Sequence, residues 1–214
     1  MLRRLQRGLE TLYRLGAAPD VRGFLLDEDA RGELGATRRP REQLFVGGNA
    51  DELDLGLFVD PAVVANLGRR DPRRRLDARN LEDLLLAVEG VSHFLCVIHC
   101  ARSRRPVRAL ELELQAEVDK YVVCALLLEA QGAATERASG LGALLADGFR
   151  LADDLDHAER ERYRFAVALS AAYVAALDRR FVRPRRIVAM LDELRRFYRL
   201  PFAAKRERID ALAA

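Results

Sequence analysis

Two long apolar stretches of the sequence carry the polar side chains that are best suited to catalysis or metal binding. In the first stretch, Glu89 and His93 are four residues apart, and Cys96 and Cys100 follow. At about 100° per residue, these four side chains share one stripe of a helix. Glu and His one turn apart can bind one divalent metal ion, and a His held by a carboxylate can act as a general base.

The second apolar stretch carries a stripe of the same kind, formed by Glu113, Glu117, Lys120 and Cys124. The intervening segment, SRRPVR, predicts a turn between two antiparallel helices, which would place Glu117 level with His93. If the stripes face each other, they unite four polar residues, namely Glu89, His93, Glu117 and Lys120. A metal ion there would take Glu113 and Glu117 as further ligands. The alternative is a buried salt-bridge network in which Lys120 neutralises a carboxylate and fixes the helix register.

The three cysteines, Cys96, Cys100 and Cys124, all fall within these apolar stretches. A Cys in such a position usually behaves as a small buried hydrophobe. We therefore predict thiols that pack in the core, in a protein of a reducing compartment.

The elements that must position these residues can be read along the chain. Spaced leucines predict an amphipathic helix over 2–15, and period-two alternation around Gly-Gly-Asn predicts a β-hairpin over 43–59. A short helix is expected around FLLDEDA, and Asp60-Pro61 predicts another helix start. Asn80 is the expected N-cap of the first long helix, which should end near Ala101. Four C-terminal helices are predicted over 141–155, 157–180, 185–198 and 201–213.

These elements predict a mainly α fold with a minor β component. We expect an orthogonal or bundle-like helical domain with a long central antiparallel helix pair and one small N-terminal β-hairpin. Residues 1–75 would form an N-terminal helix, hairpin and linker packed on a helical body of residues 76–214.

Charge is unevenly distributed, although the net charge is only +3. Residues 179–208 hold eleven basic residues against three acidic ones, and aromatic residues are interspersed among them. This basic segment predicts an anionic partner, either a protein or a nucleic acid. Phe197 and Tyr198 are expected to anchor the last helices. The predicted partner-binding residues are Arg185, Arg186, Arg195 and Arg196.

Arg150 and His157 are separated by six residues. This pattern resembles the R-x4-6-H element of HEPN-type helical ribonucleases, over eight residues of the chain. The resemblance implies that the protein cleaves RNA and that this activity depends on Arg150 and His157. The alternative is that Asp156 and His157 begin the next helix.

The sequence contains no phosphate-binding loop, nucleophile elbow, zinc motif or dinucleotide fingerprint. It also lacks an apolar run of signal-peptide or membrane-spanning length, so we expect a cytoplasmic protein without membrane contact. The predicted function is a non-catalytic interaction or regulatory module that binds a protein partner or a second copy. One alternative is an enzyme, metal-dependent or acid-base, that uses Glu89, His93 and Glu117. The other is a protein that binds or cleaves nucleic acid.

Overall fold

Helices dominate the chain, as the apolar periodicity predicts. The computed structural model describes residues 1–35, 40–49, 52–132 and 157–213. It is 68% helical, with eight helices and a three-stranded sheet in its described part, so the prediction of a mainly α fold with minor β is confirmed. Contacts divide the chain into two compact units. The first comprises Met1–Glu10 and Leu15–Val107, and the second comprises Thr11–Arg14 and Arg108–Ala214.

The first unit contains the sheet. Strands β2, Glu42–Gly48, and β3, Leu53–Val59, form the predicted antiparallel hairpin. A two-residue strand, β1, Leu25–Leu26, pairs in parallel with β3 and was not predicted, because so short a strand has no measurable alternation. The first unit also contains most of α1, Leu2–Tyr13, a 3-10 turn, Val21–Phe24, and the short helix α2, Glu28–Glu33. Strand order is β1, β3, β2.

Two further helices complete the first unit. Helix α3, Pro61–Arg69, begins as predicted, because the Asp60 carboxylate accepts a hydrogen bond from the backbone N–H of Ala62 at 2.8 Å. Helix α4, Leu81–Arg102, follows Asn80, but the Asn80 side chain does not cap it. Instead, the Asn80 amide donates to the carbonyls of Arg70 and Arg75 and holds the preceding loop.

Helix α4 is apolar on nearly every side and forms the core of the first unit. By length and composition it is the one described helix that could span a membrane. However, 72% of its most apolar window is buried within the protein, which also characterises the core helix of a globular fold. Its burial places the polar groups of α4 in an apolar environment, where their charges are costly unless compensated.

The second unit is helical. It contains α5, Ala109–Ala130, α6, His157–Leu177, a π turn, Asp178–Val182, α7, Ile187–Arg199, and α8, Phe202–Ala213. The bounds agree with the predicted helices to within three residues. The predicted helix over 141–155 lies outside the described residues. Phe197 and Tyr198 are buried, as predicted, and stack on Tyr173 and Tyr13 at centroid distances of 4.0 and 4.2 Å.

Candidate functional site

Glu89 and His93 lie one turn apart on α4, in the first unit. His93 is 6% exposed and Glu89 is half-buried. A carboxylate oxygen of Glu89 and a ring nitrogen of His93 lie within 4.8 Å of each other. The two groups that the sequence placed on one stripe therefore have their polar atoms close together, beside a core that excludes water.

Glu42 joins this pair from the sheet. It begins β2, and its Oε1 lies 3.9 Å from His93 Nδ1, with the Glu42 side chain 8% exposed. Cross-strand pairing with Val59 places Glu42 on the same sheet face as Leu57, which is fully buried. Sequence analysis missed Glu42. The available signal was an acidic residue at an alternating position that an apolar side chain would normally occupy.

Gly90 makes the approach of β2 to α4 close enough for this contact. A methyl group on Gly90 would lie 3.0 Å from Glu42 Oε1 and 3.0 Å from Leu57 Cδ1. Because glycine has no side chain, the Glu42 carboxylate and the Leu57 side chain can lie this close to the helix. We name Glu42, Glu89 and His93 the α4 cluster.

The other predicted stripe belongs to the second unit. On α5, Lys120 Nζ donates to Glu117 Oε1 at 2.6 Å, with the two side chains 9% and 12% exposed. This ion pair provides the neutralised carboxylate that the salt-bridge alternative predicts. Glu113 is half-buried one turn earlier. Burial raises the pKa of Cys124 to about 12, so this residue is a protonated thiol rather than a nucleophile.

A second stripe of α5, which sequence analysis did not single out, forms a buried polar network. Glu111, Gln115 and Asp119 are each at most 1% exposed and follow one another at intervals of four residues. Lys205 of α8 donates to Gln115 Oε1 at 2.9 Å, and its ammonium lies 3.4 Å from Glu111 Oε1. At the other end, Gln115 Nε2 donates to Asp119 Oδ1 at 2.9 Å, and the Tyr13 hydroxyl donates to the same oxygen.

The polar groups of this network are buried and form hydrogen bonds with one another. Burial, followed by the charge of Asp119, holds the pKa of Tyr13 well above its usual value, so its hydroxyl remains a donor. A similar arrangement lies nearby, where the Tyr173 hydroxyl donates to Glu193 and the Arg208 guanidinium binds the same carboxylate at 2.9 Å. Both networks use their polar groups to bond one another and thereby specify how the helices pack.

Two adjacent exposed arginines of the second unit lie at the start of α7. Arg185 and Arg186 are exposed, and Arg185 has a φ of 56°, an uncommon backbone conformation for a residue with a side chain. Val188 is 74% exposed, which is unusual for an aliphatic side chain on a helix. These residues line a shallow depression together with Ile187, Ala189 and Asp192. We name Arg185, Arg186 and Val188 the basic surface.

The other two arginines of the predicted partner-binding set are placed differently. Arg195 is half-buried, and its guanidinium donates to the carbonyl of Leu12 at 2.9 Å and to Asp192 at 3.1 Å. Arg196, the next residue, is exposed. Arg195 therefore already has intramolecular partners, whereas Arg185 and Arg186 project into solvent.

The pair that carries the resemblance to HEPN-type ribonucleases is described only in part. His157 begins α6 and is exposed, whereas Arg150 and Asp156 lie outside the described residues. The geometry of this pair therefore contributes nothing to the choice of function.

Comparisons with protein-family models, with curated proteins and with solved structures found no match for this chain.

Proposed function

We propose that the protein is a non-catalytic interaction module whose basic surface binds an acidic segment of a partner protein. The observation that carries this proposal is the combination of two arginines and one exposed aliphatic side chain in a single depression. Carboxylates of the partner would bind Arg185 and Arg186, and an apolar side chain would cover Val188. Such a mixture of Arg and apolar contact is typical of protein interfaces.

Some neighbouring arginines are engaged within the protein, unlike those of the basic surface. Arg183 forms an ion pair with Asp178 at 2.6 Å, and the Arg199 guanidinium donates to the carbonyls of Tyr13 and Arg14. Among the described residues, the Arg185 and Arg186 side chains form no hydrogen bond or ion pair. Their positive charge is therefore available to an external ligand.

The start of α7 strengthens the attraction for a negatively charged partner. Arg186, at the N-cap position, forms no side-chain cap, so the first backbone N–H groups of α7 are open to an external acceptor. The helix dipole adds partial positive charge at the same end. An acidic side chain of the partner would satisfy both.

A protein partner fits this surface better than a nucleic acid does. Binding of single-stranded nucleic acid commonly uses aromatic rings on which bases stack. Phe197 and Tyr198, aromatic residues of the basic segment, are buried and stacked on tyrosines, so they offer no such platform. Val188 instead favours contact with an apolar side chain.

The proposal can be tested with a fluorescein-labelled helical peptide that has leucines on one face and glutamates on the other. Its binding is measured by fluorescence anisotropy. We expect the double substitution Arg185→Glu and Arg186→Glu to weaken binding at least about tenfold. Val188→Asp should weaken it as well, because the apolar contact becomes a buried charge.

The matched control is Arg69→Glu with Arg70→Glu, a second pair of adjacent exposed arginines. This control carries the same change of net charge and should retain wild-type affinity. Equal losses in both double variants would reveal attraction by net charge alone and would defeat the proposal. Labelled single-stranded RNA serves as the competing probe, and a preference for it that depends on Arg185 and Arg186 would favour the nucleic-acid alternative.

The other predicted functions stay predictions. A second copy of the chain as partner is tested by measuring the oligomeric state of the wild type and of the Arg185→Glu, Arg186→Glu variant. Cleavage of RNA is tested with His157→Ala. The metal-dependent or acid-base enzyme that uses Glu89, His93 and Glu117, with Glu113 as a further ligand, rests on the sequence pattern of the two long helices.

A further inference from the structure

We propose that the loop between α3 and α4 binds the phosphate backbone of a nucleic-acid duplex. Residues 69–79, which we name the arginine loop, hold six arginines and two aspartates and so carry a net charge of +4. All six guanidinium side chains are exposed, namely those of Arg69, Arg70, Arg73, Arg74, Arg75 and Arg79. The arginine loop belongs to the first unit and is independent of the basic surface, which lies on α7.

Hydrogen bonds to Asn80 hold the arginine loop in a compact conformation. Asn80 is 2% exposed, and its amide nitrogen donates to the carbonyl of Arg70 at 3.0 Å and to that of Arg75 at 2.8 Å. Because one nitrogen bonds both carbonyls, residues 70 and 75 lie side by side. Asn66 of α3 donates to the carbonyl of Arg79 at 2.9 Å and fastens the end of the loop. The arginines therefore project from one small, ordered segment.

Several of these arginines keep their charge for an external ligand. Arg73 Nε lies 3.0 Å from Asp71 Oδ1, and Arg79 Nη2 lies 2.9 Å from Asp77 Oδ2, so the two aspartates each hold an arginine of the loop itself. Three other arginines form no side-chain hydrogen bond or ion pair with any described residue, namely Arg69, Arg70 and Arg74. Their charges are available to an anion.

Arg4 of α1 adds positive charge next to the arginine loop. Hydrogen bonds from Arg73 lower the pKa of Asp71 to about 2, and the charge of Arg4 makes a smaller contribution in the same direction. Arg4 is exposed, and this electrostatic effect requires that it lie near Asp71. A long anion bound at the loop would therefore also be attracted by α1.

The surroundings of the arginine loop suit a polyanion better than a protein. The apolar residues Val63, Leu67 and Pro72 are buried, and the large apolar side chains that the described structure exposes all lie outside this segment. Protein interfaces have an apolar core, which this surface does not offer. Phosphate groups need no such core, because the guanidinium fork matches their geometry and charge.

A duplex fits the arginine loop better than a single strand does. Single-stranded nucleic acid commonly binds through bases stacked on aromatic rings, and residues 61–80 contain no aromatic residue. A duplex carries about one negative charge per 1.7 Å of its axis, so it offers a higher charge density to a compact group of arginines. Contacts to its phosphates require neither stacking nor an apolar surface.

The test measures binding of the full chain to a short fluorescein-labelled DNA duplex by fluorescence anisotropy at rising salt concentrations. Arg69→Gln with Arg70→Gln should weaken binding at low salt at least about tenfold. The slope of log affinity against log salt should become shallower by about 2, because each phosphate contact contributes about 0.9 to it. Circular dichroism verifies that this variant folds, as expected for two exposed side chains.

The matched control is Arg185→Gln with Arg186→Gln, which makes the same change of net charge at another pair of adjacent exposed arginines. This control should bind the duplex with the affinity and salt slope of the wild type. The same strand in single-stranded form, polyglutamate and phosphatidylserine vesicles serve as competing probes, and each should bind more weakly than the duplex.

Three outcomes would overturn the proposal. The first is wild-type affinity and salt slope in the Arg69→Gln, Arg70→Gln variant. The second is an equal loss in both double variants, which would show attraction by net charge alone. The third is tighter binding of any competing probe, which would assign the arginine loop to that partner instead. Binding of the acidic peptide to the basic surface is measured separately, so failure here leaves the proposed function standing.

Discussion

Lys205 lies in the most basic segment of the chain, yet its side chain is completely buried and its ammonium is 3.4 Å from the Glu111 carboxylate. The ammonium also lies 5.3 Å from the centroid of the Phe197 ring. The positive charges of the basic segment therefore have two different locations. Lys205 lies in the interior, where it joins helices α5 and α8, whereas Arg185 and Arg186 face solvent. Only the exterior charges can serve a partner.

Substitution of Lys205 by methionine should strongly destabilise the second unit. The change keeps most of the side-chain volume but removes the cation next to Glu111, and breaking a buried ion pair typically costs about 3–5 kcal/mol. Denaturant unfolding measures the difference. Arg206→Met is the control, because Arg206 is exposed and lies over the partly exposed Phe165 ring at 5.6 Å. It should cost at most about 1 kcal/mol, and equal effects would refute a structural role for Lys205.

The hydroxyl of Tyr13 should contribute to stability, whereas that of Tyr121 should not. Tyr13→Phe removes the donor to Asp119 and should cost about 1–3 kcal/mol. The Tyr121 hydroxyl is buried and has no hydrogen-bond partner among the described residues, so Tyr121→Phe should be neutral or stabilising. Urea unfolding of the two variants compares one chemical change at two sites. A larger loss for Tyr121→Phe would contradict the network described for α5.

Gly90→Ala should destabilise the first unit even though alanine favours helices. The added methyl group would lie 3.0 Å from both Glu42 Oε1 and Leu57 Cδ1, and overpacking of this kind costs about 1–3 kcal/mol. Gly8→Ala on α1 is the control, because nothing lies within 4 Å of the added group. That variant should gain up to about 1 kcal/mol. Thermal unfolding of both variants checks the opposite signs, and a stabilised Gly90→Ala would contradict the close approach of β2 to α4.

Cys124 should contribute to a loss of stability at alkaline pH. Burial raises the pKa of its thiol from 9.0 to about 12, so between these values the unfolded chain releases a proton that the folded chain retains. The free energy of unfolding therefore falls as the pH rises through this range. In Cys124→Ala the fall should be shallower, as measured by urea titrations at a series of pH values. Identical slopes in the two proteins would contradict a buried, protonated thiol.

Most of the secondary structure could be predicted from the sequence because its signals are local. The amphipathic pattern of α1, the alternation of the hairpin and the Asp60-Pro61 cap each depend on neighbouring residues. Asn80 shows the limit of such signals. Its type suits a cap, but its amide instead bonds the carbonyls of the preceding loop, and that preference depends on where the loop lies.

The candidate sites were predictable to a lesser extent because they depend on contacts between distant segments. Helical spacing paired Glu89 with His93, but Glu42 is brought to His93 only by the packing of β2 on α4. Similarly, the number of arginines predicted that the basic segment, residues 179–208, binds an anionic partner. It could not show that Lys205 is buried and that Arg195 bonds the Leu12 carbonyl.

The central claim is that the start of α7 binds an acidic partner segment. The most direct measurement is a titration of nitrogen-15-labelled protein with the acidic peptide, with assigned backbone amide signals recorded at each step. The account predicts that the largest shifts occur at Arg186, Ile187, Val188 and Ala189, and that they vanish in the Arg185→Glu, Arg186→Glu variant. Shifts centred on any other part of the chain, or shifts that persist in that variant, would contradict it.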